Sequence, residues 1–285
     1  MRGLSTRRSH LALLIVISTF LVIAHNESAT AAPNAPLMSP LSITNTQTVS
    51  TTDQASNNWA GYLIYNAPPD QSSQPDQSGQ SAPASYTRLV VSDVQAQWVI
   101  TPVTCGQERT YSAMWVGIDG VSEGNVEQAG SSGECANGQP RYYAWFEMYP
   151  DPPQILPFFP VHVGDTISVD VQYHDPALFT VVLQNLTTKH TIKLSRTNPE
   201  ALRESAEWVI EAPTNRSFGV LPLAPFGKAT FTQARATVDG NLCTISSCRL
   251  PYSMLIMENA DHQIRAVPTT LKLNGTSFSI YWRES

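Results

Sequence analysis

Charged residues are scarce in this chain, and no segment shows the 3.6-residue apolar period of an amphipathic helix. The lack of helical period excludes an α or α/β fold. Only 14% of the 285 residues are Asp, Glu, Lys or Arg, so uncharged polar side chains must cover much of the surface. A protein with few carboxylates has few native ion pairs to lose on protonation. The composition is therefore compatible with a protein that works in acid.

Basic residues are the scarcer charged class, and several of them fall in a short N-terminal segment. Arg2, Arg7 and Arg8 precede an apolar run from Leu11 to Ala24, and small residues follow, which is typical of a secretory signal. We expect residues 1–32 to be removed and the protein to be secreted to the extracellular space. A retained membrane anchor is the alternative, but the run is short for a bilayer span. The arginine pair leaves the export route open.

Loss of the signal makes the chain more acidic. Removing three basic residues and one acidic residue leaves 14 basic and 22 acidic residues, a formal charge of −8. We therefore expect no nucleic-acid partner, since phosphate binding needs a basic surface. We expect no stable membrane association after signal removal, and a monomer.

Common metal and catalytic signatures are also missing. The sequence contains no HExxH, no DTG or DSG, and no GxSxG. Its cysteines and histidines form no CxxC or HxH spacing, so we expect no metal and no cofactor. The cysteines fit disulfides in an oxidising compartment, where three pairings are possible. We prefer one bond between adjacent strands and one across the turn CTISSC, with the pairs Cys105–Cys135 and Cys243–Cys248.

Short strand-like runs make up most of the remaining chain. They are rich in Val, Ile, Thr, Tyr and Trp and are separated by Gly, Pro, Asn or Asp. We predict an all-β protein with one antiparallel β-sandwich domain over residues 56–285. Residues 33–55 form a low-complexity leader or short pro-segment, and residues 67–85 form a mobile surface loop. The runs are WAGYLIY, RLVVSDVQAQWVI, YSAMWVGID, YYAWFEMY, TISVDVQY, FTVVLQNL, AEWVIE, ATFTQARATV and SFSIYW.

Alternation along three of these runs separates a core face from a polar and aromatic face. In YYAWFEMY, Tyr143, Trp145, Glu147 and Tyr149 point away from the predicted core. The same rule in two further runs places Trp115 with Asp119, and Glu207 with Glu211, on outer faces. Each residue alone fits an ordinary cross-strand pair. Together the aromatic side chains predict an exposed ligand-binding cleft.

Seven segments in sequential order resemble the glutamic peptidases, or eqolisins. They cover residues 57 to 211 and lie within a match that extends to about residue 240. WVGIDG and AWFEMYP are the most specific of them. The segments are NNWAGY, AMWVGIDG, VEQAG, YYAWFEMYPD, VGDTISVDV, LQNLT and AEWVIE.

The resemblance implies a concanavalin A-like, or lectin-like, sandwich with a bent sheet that forms the substrate groove, and acid endopeptidase activity on proteins or peptides. Gln128, in VEQAG, and Glu211, at the end of AEWVIE, match the catalytic positions of the family. The family likeness also implies substrate-binding roles. These fall on Trp115, Asp119, Gly120, Trp145, Glu147 and Tyr149.

The chemistry of the two candidate catalytic residues suits acid hydrolysis. An unperturbed glutamate titrates near pH ~4.3, so in acid Glu211 can accept a proton from water and return it to the amine. The amide of Gln128 stays neutral at any pH and can donate to an oxyanion.

Two alternatives remain open at this stage. A carbohydrate-binding or glycoside-hydrolysing sandwich could use Glu147 and Glu211 as acid and nucleophile. A non-catalytic binding protein with the same fold is the second alternative. Gln128 favours the peptidase, because glycosidase chemistry does not require it.

Overall fold

The computed structural model describes residues 53–66, 88–121, 124–215, 217 and 219–284. The predicted signal, residues 33–52 of the leader and the predicted loop at 67–85 lie outside these residues. Among the described residues, no helix is long and apolar enough to cross a membrane.

The described chain is built from strands and one 3₁₀ turn, Leu273–Gly275. This confirms the prediction of an all-β fold. The strands in chain order are β1 Asp53–Ser56, β2 Trp59–Tyr65, β3 Val91–Val99, β4 Thr110–Ile118, β5 Val126–Ala136, β6 Gln139–Tyr149, β7 Gln154–Ile155, β8 Thr166–His174, β9 Leu178–Asn185, β10 His190–Thr197, β11 Ser205–Glu211, β12 Thr214–Asn215, β13 Gly219–Val220, β14 Lys228–Val238, β15 Asn241–Thr244, β16 Tyr252–Glu258, β17 Ile264–Pro268 and β18 Phe278–Trp282.

One hydrogen-bonded path joins most of the strands. Its order is β10-β9-β8-β3-β14-β18-β17-β16-β2-β11-β4-β5-β6-β7, with β15 beside β14. The sheet folds back on itself, since β4 and β5 pack against β8 and β11 packs against β3. We call β2, β11, β4, β5 and β6 the front layer, and β10, β9, β8, β3 and β14 the back layer. The sandwich is thus one continuous folded sheet.

The first strand lies outside the predicted domain boundary. β1 begins at Asp53, three residues before the expected start at residue 56, and pairs in parallel with β16. Every other named pairing in the folded sheet is antiparallel. A parallel partner is not visible in sequence, because it depends on β16, about 200 positions later.

The core between the layers confirms the predicted strand faces. Met114, Val116 and Ile118 on β4 and Ala144 and Phe146 on β6 are buried in it. Burying an apolar side chain of this size contributes on the order of 1.5–3 kcal/mol each, which fixes the register of each front strand.

Two indole groups tie the strands that carry the candidate catalytic residues to one back strand. Trp98 on β3 donates from Nε1 to Ser131 Oγ on β5 at 2.9 Å. Trp208 on β11 donates from Nε1 to the backbone oxygen of Gln95 on β3 at 3.0 Å. Both indoles are buried, so both hydrogen bonds lie in a low-dielectric core. They hold β5 and β11 in position relative to β3.

The two predicted disulfides are present. Cys105 is bonded to Cys135, with their Cα atoms 5.4 Å apart, and Cys243 to Cys248, with their Cα atoms 5.0 Å apart. The first bond joins the segment before β4 to the end of β5. It therefore restrains the hairpin that carries Gln128.

Candidate active site

One cross-strand row of the front layer brings three acid or amide side chains onto its outer face, the face turned away from the back layer. Glu207 on β11 pairs with Gly117 on β4, Gly117 pairs with Gln128 on β5, and Gln128 pairs with Glu147 on β6. Gln128 donates from Nε2 to Glu147 Oε2 at 3.0 Å. Gly117 has no side chain, and Cβ of Gln128, Cζ3 of Trp115 and Cγ1 of Val126 border the space that a side chain would occupy.

A second row, four residues along β11, carries the other candidate. Glu211 lies between Trp59 on β2 and Ala113 on β4, and Ala113 pairs with Ser132 on β5. The row ends with Tyr143 on β6. Glu211 and Gln128 therefore lie on the same face, two strands apart.

Trp115 links the two rows. Its Nε1 donates to Glu211 Oε2 at 3.0 Å. A methyl group placed on Gly117 would lie 3.1 Å from Cζ3 of Trp115 and 3.0 Å from Cβ of Gln128. The indole of Trp115 thus contacts Glu211 at one end and borders Gln128 at the other.

A glycine on β5 makes room for this indole. A side chain at Gly130 would overlap the backbone oxygen of Met114 and approach Cβ of Trp115 to 2.7 Å. The glycines of VEQAGSSGE therefore serve close packing on a strand, although glycine weakens a strand signal in sequence. This explains why β5 is missing from the runs predicted to be strands.

The second oxygen of Glu211 has its own donor. Asn58 donates from Nδ2 to Glu211 Oε1 at 3.4 Å. Asn58 and Trp115 are both uncharged donors. Hydrogen bonds of this kind favour the ionised carboxyl, whereas burial favours the protonated form.

The aromatic side chains of this face are buried, contrary to the predicted exposed cleft. Trp59, Trp115 and Trp145 are 0% exposed, and Tyr149 is only partly buried. They form a second apolar cluster with Leu63, Val126, Val209 and Leu255, separate from the core between the layers. Trp59 meets Trp115 edge to face, with ring centroids 4.9 Å apart. Packing of the indoles against one another and against β5 removes the surface that alternation alone predicts to be exposed.

Asp119 holds the segment that leads into β11. Its carboxylate accepts hydrogen bonds from the backbone N–H groups of Leu202, Arg203 and Glu204 at 2.8, 2.8 and 2.7 Å. These contacts are to the chain itself, which makes Asp119 a residue that positions β11. Gly120 follows with φ of 114°, and a side chain there would approach Cγ2 of Val126 to 2.6 Å.

Tyr143 and Tyr149 flank Glu147 and Trp145 on β6. Burial, together with the charge of Glu134, raises the pKa of Tyr143 above its usual value. Its hydroxyl therefore stays protonated throughout the acid and neutral range. Tyr149 pairs with Val126 at the other end of the same face.

Sequence reasoning assigned no role to three residues of this face. Asn58 and Trp59 lie in NNWAGY, and their roles follow only from their contacts in the structure. Asn58 donates to Glu211, and Trp59 packs against Trp115. Glu207 is fully buried and shares the row of Gln128. Its position four residues before Glu211 on a strand was the available signal, since such residues share a face.

No cluster of three or more His, Cys, Asp or Glu side chains in the described part of the chain could hold a metal ion.

The sequence profile of the peptidase A4 family matches residues 78–280. The chain belongs to the peptidase A4 family. Among the relatives of this A4 chain is Aspergillopepsin-2 of Aspergillus niger, 30% identical over 138 residues, which are 47% of this chain and 49% of the relative. Scytalidopepsin B of Scytalidium lignicola is 27% identical over 188 residues, 62% of this chain and 68% of the relative. The aligned regions thus span about half to two thirds of these relatives.

Solved structures of glutamic peptidases share the fold of this A4 chain. Scytalido-glutamic peptidase with a transition state analog inhibitor superposes with a TM-score of 0.63 at 22% identity, over 80% of this chain and 98% of that one. Aspergilloglutamic peptidase from Aspergillus niger superposes with a TM-score of 0.54 at 26% identity, over 61% of this chain and 99% of that one. The predicted resemblance is thereby confirmed at the level of family and fold.

Proposed function

We propose that this protein is a secreted acid endopeptidase that hydrolyses peptide bonds with Glu211 and Gln128. The observation that carries the proposal is the environment of Glu211. Its carboxyl group is fully buried, and its two oxygens accept hydrogen bonds from the neutral donors Asn58 and Trp115. A buried carboxyl group that accepts hydrogen bonds from neutral donors can act as a base when ionised and as an acid when protonated, and acid hydrolysis requires both roles.

Gln128 is the proposed second member of the pair. Its amide is buried, and Nε2 bonds to Glu147. We assign the amide of Gln128 as the donor to the oxyanion that forms on the scissile carbonyl. An amide keeps this donor at every pH, whereas a carboxyl group would lose it on ionisation. A donor held in advance stabilises the transition state without reorganisation.

The proposed reaction uses one water molecule and one proton carrier. Glu211, ionised, takes a proton from water as the water oxygen bonds to the carbonyl carbon. The carbonyl electrons move to the oxygen, which accepts the hydrogen bond from Gln128. As the C–N bond breaks, Glu211 gives its proton to the leaving nitrogen. The products are an acid and an amine, and Glu211 is again ionised.

The buried indoles support a peptide as the substrate. Nε1 of Trp59 and Nε1 of Trp145 are buried and have no hydrogen-bond partner among the described residues. A buried donor without a partner is unfavourable by about 1–3 kcal/mol, and the carbonyl groups of an extended peptide would satisfy it. One relative in structure was solved with a peptide-based transition state analog.

The proposal of export comes from the N-terminal signal and the disulfides. Cys105–Cys135 and Cys243–Cys248 fit an oxidising compartment. N-terminal sequencing of the protein recovered from the medium should begin after residue 32, and an uncleaved Met1 would contradict export by signal removal.

The test of the catalytic proposal is hydrolysis of an unfolded protein from pH 2 to 7 with pepstatin present. We expect acid-optimal cleavage that Glu211→Gln abolishes and that Glu200→Gln, which changes an exposed carboxylate, leaves unchanged. Far-ultraviolet circular dichroism should show both variants folded. Wild-type turnover by Glu211→Gln, or no cleavage by the folded wild type without its leader, would overturn the proposal.

A further inference from the structure

At the connection between β1 and β2, Ser56 and Asn58 form a hydrogen-bonded chain that ends on Glu211. Ser56, Asn58 and Glu211 are each 0% exposed. Ser56 Oγ donates to Asn58 Oδ1 at 3.1 Å, and Asn58 Nδ2 donates to Glu211 Oε1 at 3.4 Å. The chain runs from a hydroxyl group through an amide to the carboxyl group.

The contacts of Ser56 determine which way the Asn58 amide points. Ser56 Oγ accepts hydrogen bonds from the backbone N–H groups of Asn58 and Trp59 at 3.3 and 3.0 Å. With both acceptor positions of the hydroxyl in use, its own hydrogen must donate, and Asn58 Oδ1 is the acceptor. A flipped amide would turn its NH₂ group toward an oxygen already saturated with donors. The NH₂ group therefore faces Glu211.

The backbone holds the same contact in place. Ala212 N–H donates to the backbone oxygen of Asn58 at 2.8 Å, which joins the start of β2 to the end of β11 beside Glu211. β1 in turn pairs with β16, where Ser56 lies opposite Met257. The donor and the carboxyl group are thus fixed by separate strands of one sheet.

We propose that Ser56 and Asn58 are positioning residues that keep Glu211 in its reactive state. Asn58 holds one oxygen of the carboxyl group, Trp115 holds the other, and Ser56 fixes the orientation of the Asn58 amide. This inference rests on the proposed function of Glu211. It goes beyond that proposal by assigning a role to the β1–β2 connection.

The consequence is a defined effect on proton exchange at Glu211. A neutral N–H donor stabilises the ionised carboxyl more than the protonated one, so its loss raises the pKa of Glu211. Less of the base is then ionised in acid, and cleavage at low pH falls. Neither Asn58 nor Ser56 needs to touch the substrate for this effect.

Other titratable groups share the face and must be separated from Glu211. The carboxyl groups are Glu207 on β11, Glu134 on β5, which lies near Arg109, and Glu147 on β6. The same face also carries four phenol groups. They are Tyr65, Tyr111, Tyr143 and Tyr149.

The direct test follows the indole resonance of Trp115 in a ¹H–¹⁵N spectrum between pH 2 and 7. Its Nε1–H donates to Glu211 and should shift as that carboxyl group titrates. Trp115→Phe assigns the peak, and Glu211→Gln should remove the titration. We expect Asn58→Ala to move the midpoint upward by roughly half to one pH unit, and Ser56→Ala to move it upward by less.

Two buried residues of the same types are matched controls. Asn185 is 0% exposed and donates to Asp165 Oδ2 at 2.8 Å on the back layer, and Ser277 donates to the backbone oxygen of Phe231 at 2.9 Å. Asn185→Ala and Ser277→Ala should leave the Trp115 midpoint unchanged. An unchanged midpoint in both Asn58→Ala and Ser56→Ala, or an equal shift in the controls, would overturn the inference.

The kinetic test separates this inference from the proposed function. For a peptide substrate, Asn58→Ala should lower kcat at pH 3 by about three- to tenfold with KM changed less than twofold, and move the acid limb of the kcat/KM profile to higher pH. Asn58→Asp keeps the shape of the side chain but, when ionised, places a second negative charge beside Glu211. It should move the acid limb of the kcat/KM profile to still higher pH. If the wild type cleaves and these profiles match it, the positioning role fails and the peptidase stands. If the wild type does not cleave, the peptidase fails, and the Trp115 titration still decides the role of Asn58.

Discussion

Two faces of the folded sheet carry the same pairing of carboxyl with carboxamide groups, and they differ in what surrounds it. On the outer face of the front layer, Gln128 and Glu147 pair across β5 and β6 and are almost fully buried. On the outer face of the back layer, Asp93 pairs with Gln172 and Gln95 with Asp170 across β3 and β8, half-buried.

The hydrogen bonds run in different directions on the two faces. Gln128 bonds across the strands to Glu147, whereas Gln95 bonds to Asp93 at 3.3 Å on its own strand. The face of the front pair also carries the buried Trp59, Trp115 and Trp145, whereas the back residues are only half-buried. The carboxyl and carboxamide groups of the front face are therefore candidates for catalysis. We expect the same types of group on the back face to make stability depend on pH. Burial among indoles, rather than the groups themselves, makes the difference.

The largest expected effect is on the front face. Gln128→Ala should reduce kcat by on the order of 10²- to 10³-fold, because one oxyanion donor is lost. Gln95→Ala removes the equivalent amide on the back face and should leave kcat unchanged. Initial rates on a peptide substrate near the acid optimum measure both, and equal loss in the two variants would remove the distinction between the faces.

Glu147→Gln should have the next largest effect. It replaces the acceptor for Gln128 with an amide, and a hydrogen bond to a carboxyl group of this kind contributes about 1.5–3 kcal/mol, or roughly 10- to 100-fold in rate. The loss should remain smaller than for Glu211→Gln. If the two losses were equal, Glu147 rather than Glu211 would have to be considered as the acid. Parallel measurement of kcat in both variants decides between them.

A smaller effect is expected from a substitution at Gly117, which lies between Glu207 and Gln128 in the row. Gly117→Ala places a methyl group 3.0 Å from Cβ of Gln128, so the amide must shift by a few tenths of an ångström. We expect kcat to fall by about tenfold. Gly106→Ala, where nothing lies within 4 Å of the new methyl group, is the control and should keep full activity. Full activity in Gly117→Ala would show that the row tolerates movement.

The smallest expected effect is on the stability of the back face. Burial raises the pKa of Asp93 from 3.8 to about 8, and the hydrogen bond and charge of Asp170 act in the same direction, whereas the hydrogen bond with Gln95 lowers it. Because the folded state holds this proton more tightly, stability is full below about pH 4 and is lost as the pH rises toward 8.

Asp93→Asn imitates the protonated group and should make stability less dependent on pH. Since Asp93 is partly exposed, we expect a gain of about 1 kcal/mol at pH 8, or a rise of ~2–4 °C in Tm relative to the wild type, and little change at pH 4. Thermal unfolding at the two pH values measures it. Activity in acid should stay the same, and a variant that loses stability with pH as steeply as the wild type would contradict the assignment to Asp93.

Much of the fold was accessible from local patterns. WAGYLIY corresponds to β2 without error, and alternation in YYAWFEMY separated the core face from the site face of β6 correctly. These predictions succeeded because strand period and β-branched or aromatic content are local properties. β5 was missed because it is rich in glycine and serine, which weaken a strand signal. Gly130 is required there because Trp115 packs closely against it, and a local sequence pattern does not reveal that contact.

The sequence by itself determined the fold class and the family, since these follow from composition and motif order, and it favoured the disulfide pairing that the structure shows. Only the tertiary structure decided that Trp115 bridges Glu211 and the row of Gln128, that the aromatic face is buried, and that Asn58 contacts Glu211. Asn58 and Glu211 are separated by 153 positions, and their contact depends on the pairing of β2 with β11. Cross-strand neighbours are set by the packing of the whole sheet, which is why the residues could be named from sequence while their partners could not.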